Sequence, residues 1–471
     1  MINIMRNASY LMFSNVFVKF LTALAVILVA RQLGTTDYGI LSLGIAYSAI
    51  MTYFTDFGLS QTIIREGTKE NANLGELLSS MFKIKVILLS ITILCFFGII
   101  EFSYDDPYIQ KVIYFLVIPT LLGSVLQSVG STYFQIVQKM VYIALINSVF
   151  GIVNAISLFI GVFLNWELHN IALIYGISSL VGGIFSILLI SKEIKIKGWN
   201  LSILNGIFSF SLGGFAFLIL PQLGPIILEK ISTLEEVGLF VAAMRIPGLL
   251  LAIPGVLAVA FYPALFRLGN EKNEVEHLKV NIFELKMATI LGVIMSFPFL
   301  FYSDFIILFI FGDEWINASG VLSILSVFVL LKTISFPLAD GLTTKGYQGR
   351  RTVILIFGVI IAILAYYIFG KSYASTGAAF SLVITELYLV LAFIFANKKG
   401  WTLFKKGAGI NILLFCLIYL VFYLLDIQTI SPIFGILLFL TIYLLLLIIC
   451  DKEFREIIRN RIFLWKKSRI K

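Results

Sequence analysis

An all-α polytopic membrane protein with about fourteen transmembrane helices is the fold class that three features of this chain predict. Apolar stretches, most of them about twenty residues long, recur from one end of the 471 residues to the other. A hydrocarbon core about 30 Å thick needs roughly that length per helix. The composition is 60% hydrophobic and 13% charged, against roughly 25% charged residues in a soluble domain. The stretches are also continuous, whereas barrel strands would alternate over about ten residues. Only helices and closed barrels satisfy their backbone groups in lipid, so continuity selects helices.

In chain order the spans are placed at 10–30, 38–58, 81–100, 111–134, 143–164, 171–191, 207–228, 237–263, 283–303, 315–338, 352–369, 375–396, 409–425 and 433–450. The first run is too long for the apolar core of a signal peptide and no small-x-small cleavage site follows it. The connection from Arg65 to Ser80 carries Leu74, Leu77 and Leu78 at helical spacing among Lys69, Glu70 and Glu76, the pattern of a short interfacial helix. The tail after Cys450 sets Phe454, Ile457, Ile458, Ile462 and Trp465 among eight cations and reads as a second helix lying on the inner leaflet. The remaining connections are short, so no soluble catalytic domain is expected and function is expected between the helices.

Cations are divided unequally between alternate connections. The set containing both termini holds twenty-five Lys and Arg residues; the opposite set holds four, Arg31, Lys111, Lys230 and Lys371. Short loops rich in Lys and Arg stay in the cytoplasm, so both termini are expected there. The net charge of +9 thus marks topology and contact with anionic lipid heads, and no nucleic-acid partner is expected. Cys95, Cys416 and Cys450 fall inside or at the ends of spans, in no disulfide or metal-site spacing. His169 and His277 fall in connections on opposite sides and are expected to be solvated. No metal and no cofactor is expected.

The chain resembles itself at a period of about 200 residues. Arg31 to Gly39 opens the second span and Lys230 to Gly238 opens the eighth, each with a cation eight residues before its glycine. Asp105-Asp106-Pro107-Tyr108 has a counterpart in Asp313-Glu314-Trp315, and Lys197-Gly198-Trp199 in Lys399-Gly400-Trp401. Six spans per copy is an even number, so the copies share one orientation, as in transporters built from parallel repeats. The expected organisation is a six-helix lobe over 1–200, a second over 201–402, an appended helix pair over 403–450 and a basic tail over 451–471.

A charge inside a membrane span is costly and usually faces a bundle interior or water. Lys19, Arg245, Lys332 and Glu386 lie within spans, Asp56 near the inner end of the second, and Arg31 at the outer end of the first. Lys83, Lys85 and Lys286 are close enough to the surface to snorkel. A cation-rich interior suits an anionic substrate, and arginine grips phosphate through a bidentate fork. Arg245, Lys19, Lys332 and Arg31 are therefore candidate substrate-binding cations. Glu386 and Asp56 are candidates for coupling to H⁺ or Na⁺, or for ion pairing. Pro221 and Pro225 interrupt the seventh span and Pro247 and Pro254 the eighth. A proline inside a helix removes a hydrogen bond and kinks it, which marks these four as hinge candidates.

Arg31-x-Leu33-Gly34 with Tyr38-Gly39, Asp56-Phe57-Gly58-Leu59 and Arg65-Glu66 resembles the N-terminal signature of Wzx-type polysaccharide flippases of the multidrug/oligosaccharidyl-lipid/polysaccharide exporter superfamily. Val237-Gly238, Arg245, Pro254-Gly255-Val256-Leu257 up to Pro263, and Phe311-Gly312 ahead of Trp315 extend the resemblance over most of the chain. The Arg245 segment is also similar to the eighth helix of lipid II flippases, where an arginine faces the central cavity. The resemblance implies two six-helix lobes around a V-shaped cavity. It implies a transporter, not an enzyme, that carries an undecaprenyl-diphosphate-linked oligosaccharide from the inner to the outer leaflet of a bacterial plasma membrane. The expected partners are that lipid-linked oligosaccharide, membrane lipids and other polysaccharide-assembly proteins. The lipid II flippases carry several arginines in their first two helices, where this chain has Lys19 and Arg31, so a glycan repeat unit for O-antigen or capsule is favoured over lipid II. A drug/cation antiporter of the same superfamily would want acidic residues in place of these cations. A membrane polymerase or glycosyltransferase would need a large exposed loop or spaced carboxylates, and Asp105 and Asp106 are adjacent.

Overall fold

The computed structural model describes residues 2–69, 72–194, 197–200, 214–426, 430–452 and 454–456, with side chains from residue 17 onward. Most of the expected tail helix, and the start of the seventh span, lie outside the described residues. The described residues form helices joined by short connections. In chain order the helices are α1 (Ile2–Asp56), α2 (Leu59–Gly67), α3 (Leu74–Ser103), α4 (Pro107–Ile136), α5 (Met140–Phe163), α6 (Leu168–Ser191), α7 (Leu223–Ile231), α8 (Leu234–Leu250), α9 (Ala252–Asn270), α10 (Glu274–Phe301), α11 (Ser303–Ile310), α12 (Ala318–Thr343), α13 (Gln348–Ala365), α14 (Lys371–Ala396), α15 (Gly400–Phe404), α16 (Ile410–Leu424) and α17 (Pro432–Cys450).

Among the described residues, twelve apolar helical stretches are long enough to cross a membrane. Two of them, 17–56 and 348–396, are 40 and 49 residues long, and each covers two of the fourteen expected spans. The first is broken at Gly34, whose φ of 74° is left-handed and open to glycine without a Cβ penalty. The second passes through a π-helical turn at Tyr366–Gly370 and a non-helical Ala374. The protein is a multi-pass membrane protein.

The repeat is visible in detail. Asn73 caps α3 by accepting from the Glu76 backbone N–H at 3.3 Å, and Asn273 caps α10 by accepting from Glu276 N–H at 3.2 Å. Both are the side-chain half of a capping box, two hundred residues apart. The two glycines of the repeated motif meet. A Cβ built on Gly39 would overlap the Leu234 carbonyl, and one on Gly238 would overlap the Thr35 carbonyl. Each glycine sits against the residue four positions before the other, an exchange that a two-fold relation produces. Small residues at such a crossing let helix backbones approach closely in lipid. The motif cations repeat the exchange. Arg31 Nε donates to the carbonyl of Ile310, the last residue of α11, at 2.6 Å. Lys230 Nζ donates to the carbonyl of Ser103, the last residue of α3, at 3.0 Å. Each caps a helix C-terminus with positive charge, where the helix dipole favours it.

The chain divides into two compact units. Unit 1 comprises 1–249, 310–318 and 355–381; unit 2 comprises 250–309, 319–354 and 382–471. In unit 1 α2, the start of α3 and the end of α4 enclose an apolar core of Leu59, Ile63, Leu77, Leu78, Met81 and Phe134. The interfacial helix expected over 65–80 is therefore two elements. α2 stops at Gly67, and Leu77 and Leu78 belong to α3 and are buried. In unit 2 the appended pair α16 and α17 packs on α10. Phe297 stacks on Phe439 with centroids 3.6 Å apart, Phe422 meets it edge-on, and Tyr443 OH donates to Asn411 Oδ1 at 3.0 Å.

Candidate functional site

The eighth span is not one helix. α8 ends at Leu250 and α9 starts at Ala252, with a turn at Leu251 between Pro247 and Pro254. The division between the two units also falls there, after Leu249. Pro221 sits in a single 3₁₀ turn, Leu220–Gln222, just ahead of α7, and Pro225 lies in the first turn of α7.

Arg245 lies on α8, ahead of that break and just before Pro247. Its Nε donates to the Tyr38 hydroxyl at 3.1 Å, and Tyr175 of α6 lies within electrostatic reach of it. Tyr38 is fixed by the edge of the Trp315 ring, 5.5 Å between centroids. Arg245 is partly exposed and has no carboxylate partner among the described residues. Its terminal amino groups are the donors left for an anion. Repeat geometry builds this site: Tyr38 precedes Gly39 in one copy of the motif, and Arg245 follows Gly238 by two turns in the other.

The other candidate cations divide. Lys19 is exposed on α1. Arg31 is engaged with the α11 C-terminus as described. Lys332 Nζ lies 3.1 Å from Glu386 Oε2 and 5.1 Å above the Phe336 ring. Ser335 donates to the other Glu386 oxygen. The structure thus joins Lys332 and Glu386 into one ion pair. Asp56 is likewise paired, with Lys85, which also donates to Ser60 Oγ at 3.2 Å and Ser128 Oγ at 2.7 Å.

Three expectations are overturned. Lys85 does not snorkel; its side chain is 1% exposed inside unit 1, held by Asp56 and the two serines. Lys286 is also buried and pairs with Asp451 at 2.8 Å, which ties the end of α17 to α10. Such burial is tolerated only because each charge has a partner and further hydrogen bonds. His277 is not solvated but buried in the first turn of α10, bonded to Thr344 Oγ1 at 2.8 Å. Lys83, by contrast, stays exposed over the Trp199 ring.

Sequence reasoning passed over two groups. Tyr104, just beyond α3, bonds Tyr47 OH and Glu229 Oε2, each at 3.2 Å, with Lys230 Nζ 4.1 Å above its ring. Burial, then the neighbouring Tyr47 and Glu229, push its hydroxyl pKa well above the ordinary value. The second is a buried acid pair on unit 2, Glu284 and Asp340. The marked spans began at 283 and ended at 338, so both acids stood at or beyond span edges. The helices run further, with α10 covering 28 residues and α12 covering 26.

Helices of this number and repeat form a fold that the chain shares with solved membrane transporters. The chain superposes on the lipid II flippase MurJ in its inward closed conformation with a TM-score of 0.74, at 15% identity, covering 95% of this chain and 99% of that one. It superposes on an inward-facing multidrug resistance MATE family transporter with a TM-score of 0.69, at 17% identity, covering 83% and 96%. Residues 4–269 match the model of the polysaccharide biosynthesis protein family, and the chain belongs to that family. It is 24% identical to the probable low-salt glycan biosynthesis flippase Agl15 of Haloferax volcanii, over 96% of this chain and 98% of that protein.

Proposed function

We propose that the chain is a flippase that carries a diphosphate-linked oligosaccharide on a polyprenyl lipid from the inner to the outer leaflet of a cell membrane. The observation that carries this is Arg245, an intramembrane arginine that donates to a tyrosine hydroxyl and has no carboxylate partner among the described residues. A charge so placed is costly, and an anionic headgroup offsets that cost. The planar guanidinium can grip two phosphate oxygens at once, which shields the diphosphate from hydrocarbon during passage. Membership of a polysaccharide biosynthesis family and likeness to a probable glycan flippase support the same cargo class.

In its finer form the proposal takes undecaprenyl diphosphate as carrier and a bacterial plasma membrane as location, with the glycan serving a surface polysaccharide such as O-antigen or capsule. The product then passes to other polysaccharide-assembly proteins at the outer face. The break at Leu251 between Pro247 and Pro254 supports alternating access with a hinge there. Cation asymmetry supports cytoplasmic termini. The driving ion is H⁺ or Na⁺. Deletion of the gene, followed by mass spectrometry of lipid-linked glycans, tests the function. A trapped lipid-linked repeat unit names both carrier and sugar. Unchanged lipid-linked pools with unchanged surface glycan would remove the flippase reading.

A further inference from the structure

Glu284 of α10 and Asp340 of α12 are fully or almost fully buried. Their carboxyl groups lie within hydrogen-bonding reach of each other. Two ionised carboxylates both accept and neither donates, so that contact needs a proton. Glu284 Oε1 is buried and finds no donor among the described residues, which makes it the open position of the pair.

The surrounding groups are arranged to hold carboxyl oxygens. Asn281 Nδ2 donates to Glu284 Oε2 at 3.1 Å and to the Pro337 carbonyl at 2.9 Å, which fixes the amide orientation. Tyr262 of α9 donates to Asp340 Oδ1 at 2.7 Å. Gly341 lets Asn281 come this close, since a Cβ there would overlap Asn281 Oδ1. The charged group facing the pair among the described residues is Arg351 of α13. Its Nη1 is 3.9 Å from Asp340 Oδ1 and is committed to Thr343 Oγ1 at 2.8 Å. His277, a turn and more back along α10, is turned to Thr344 instead.

Charge balance decides the state. Two acids and one arginine leave a net negative charge in the interior, and a single proton cancels it. An unpaired buried charge is expensive, and like charges in contact cannot both ionise in an interior. A metal cation fits less well. Asn281 and Tyr262 present donors to the carboxyl oxygens, and no group of three or more His, Cys, Asp or Glu side chains able to hold a metal occurs among the described residues.

We propose that Glu284 and Asp340 form a proton-binding site in unit 2, sharing one proton in this conformation, with Arg351 as the group whose closer approach to Asp340 displaces it to water. The two carboxyls then carry one more negative charge, which the Arg351 guanidinium meets. Should the chain be the transporter proposed above, this is where its driving proton resides. The site itself does not depend on the cargo.

Infrared spectroscopy of the purified, full-length protein tests this without any cargo. At neutral pH the wild type should show the carbonyl stretch of a protonated carboxylic acid, shifted to lower frequency in D₂O. Glu284→Gln keeps the shape and supplies a donor to Asp340, so the band should vanish. A wild type without the band, or a band equally strong in Glu284→Gln, overturns the proposal. Where Glu284→Gln does not yield folded protein, Tyr262→Phe decides. Loss of the Asp340 hydrogen bond should move the band, and an unmoved band rejects the site. The gene-deletion experiment reads cargo alone, so failure of one reading is separable from failure of the other.

Discussion

Arg245 and Lys332 are both cations inside membrane spans, yet their surroundings differ in kind. Lys332 has a carboxylate at 3.1 Å, so its charge is already met within the fold. Arg245 has a phenol at 3.1 Å. Buried charge-assisted hydrogen bonds contribute about 1.5–3 kcal/mol each. Arg245→Ala should therefore abolish surface glycan at a normal level of membrane-inserted protein, and Arg245→Lys should restore it in part, because lysine keeps the charge and loses the fork. Quantitative glycan staining against protein level checks this, and normal export by Arg245→Ala would return Arg245 to a structural role. The intramembrane position of Arg245 was legible in the sequence; its partner was not, because Tyr38 lies 207 residues away. Lys85 and Lys286 show the opposite failure. Distance from a span edge suggested snorkelling, and only contacts with Asp56 and Asp451 reveal that both are buried.

Among the elements, the second and eighth spans carry the clearest consequence of the repeat. Gly39 and Gly238 each rest on a carbonyl of the opposite copy. A methyl group at either position forces backbone to move, and overpacking of this kind costs about 1–3 kcal/mol. Gly39→Ala and Gly238→Ala should each lower the melting temperature of the purified protein, and by similar amounts because the contacts are equivalent. A variant that melts like the wild type would show that the two spans do not rely on this approach. The paired cation-to-glycine spacing flagged both residues in sequence. Reciprocal seating could not be read there, since spacing along one chain says nothing about which surface meets which. The Asn73 and Asn273 caps were equally present in sequence, as Asn-x-x-Glu ahead of apolar runs, and mark where α3 and α10 begin more sharply than hydropathy does.

For the whole molecule, orientation is the property most open to direct measurement. Charge asymmetry predicts Asp105 and Glu167 outside and Lys197 in the cytoplasm. Single cysteines at 105 and 167, in a background with Cys95, Cys416 and Cys450 removed, should react with an impermeant thiol reagent in intact cells, and one at 197 should not. Labelling at 197 would reverse the topology. The removal matters because all three native cysteines are exposed in the fold. The compact units cut across the sequence copies: 310–318 and 355–381 group with the N-terminal unit, and the appended pair packs into unit 2 on α10.

The sequence by itself determined that this is a helical membrane protein, the number of its spans, and the presence of a repeat with cations inside it. Those properties follow from hydropathy and spacing, which are local and additive along the chain. Tertiary structure decided which charges are satisfied. Lys332 found Glu386, Asp56 found Lys85, Glu284 found Asp340, and Arg245 found tyrosine and, among the described residues, no carboxylate. The reason is physical: a charge in a low-dielectric interior takes its meaning from what stands within a few ångströms, and helices bring together residues that are tens to hundreds of positions apart.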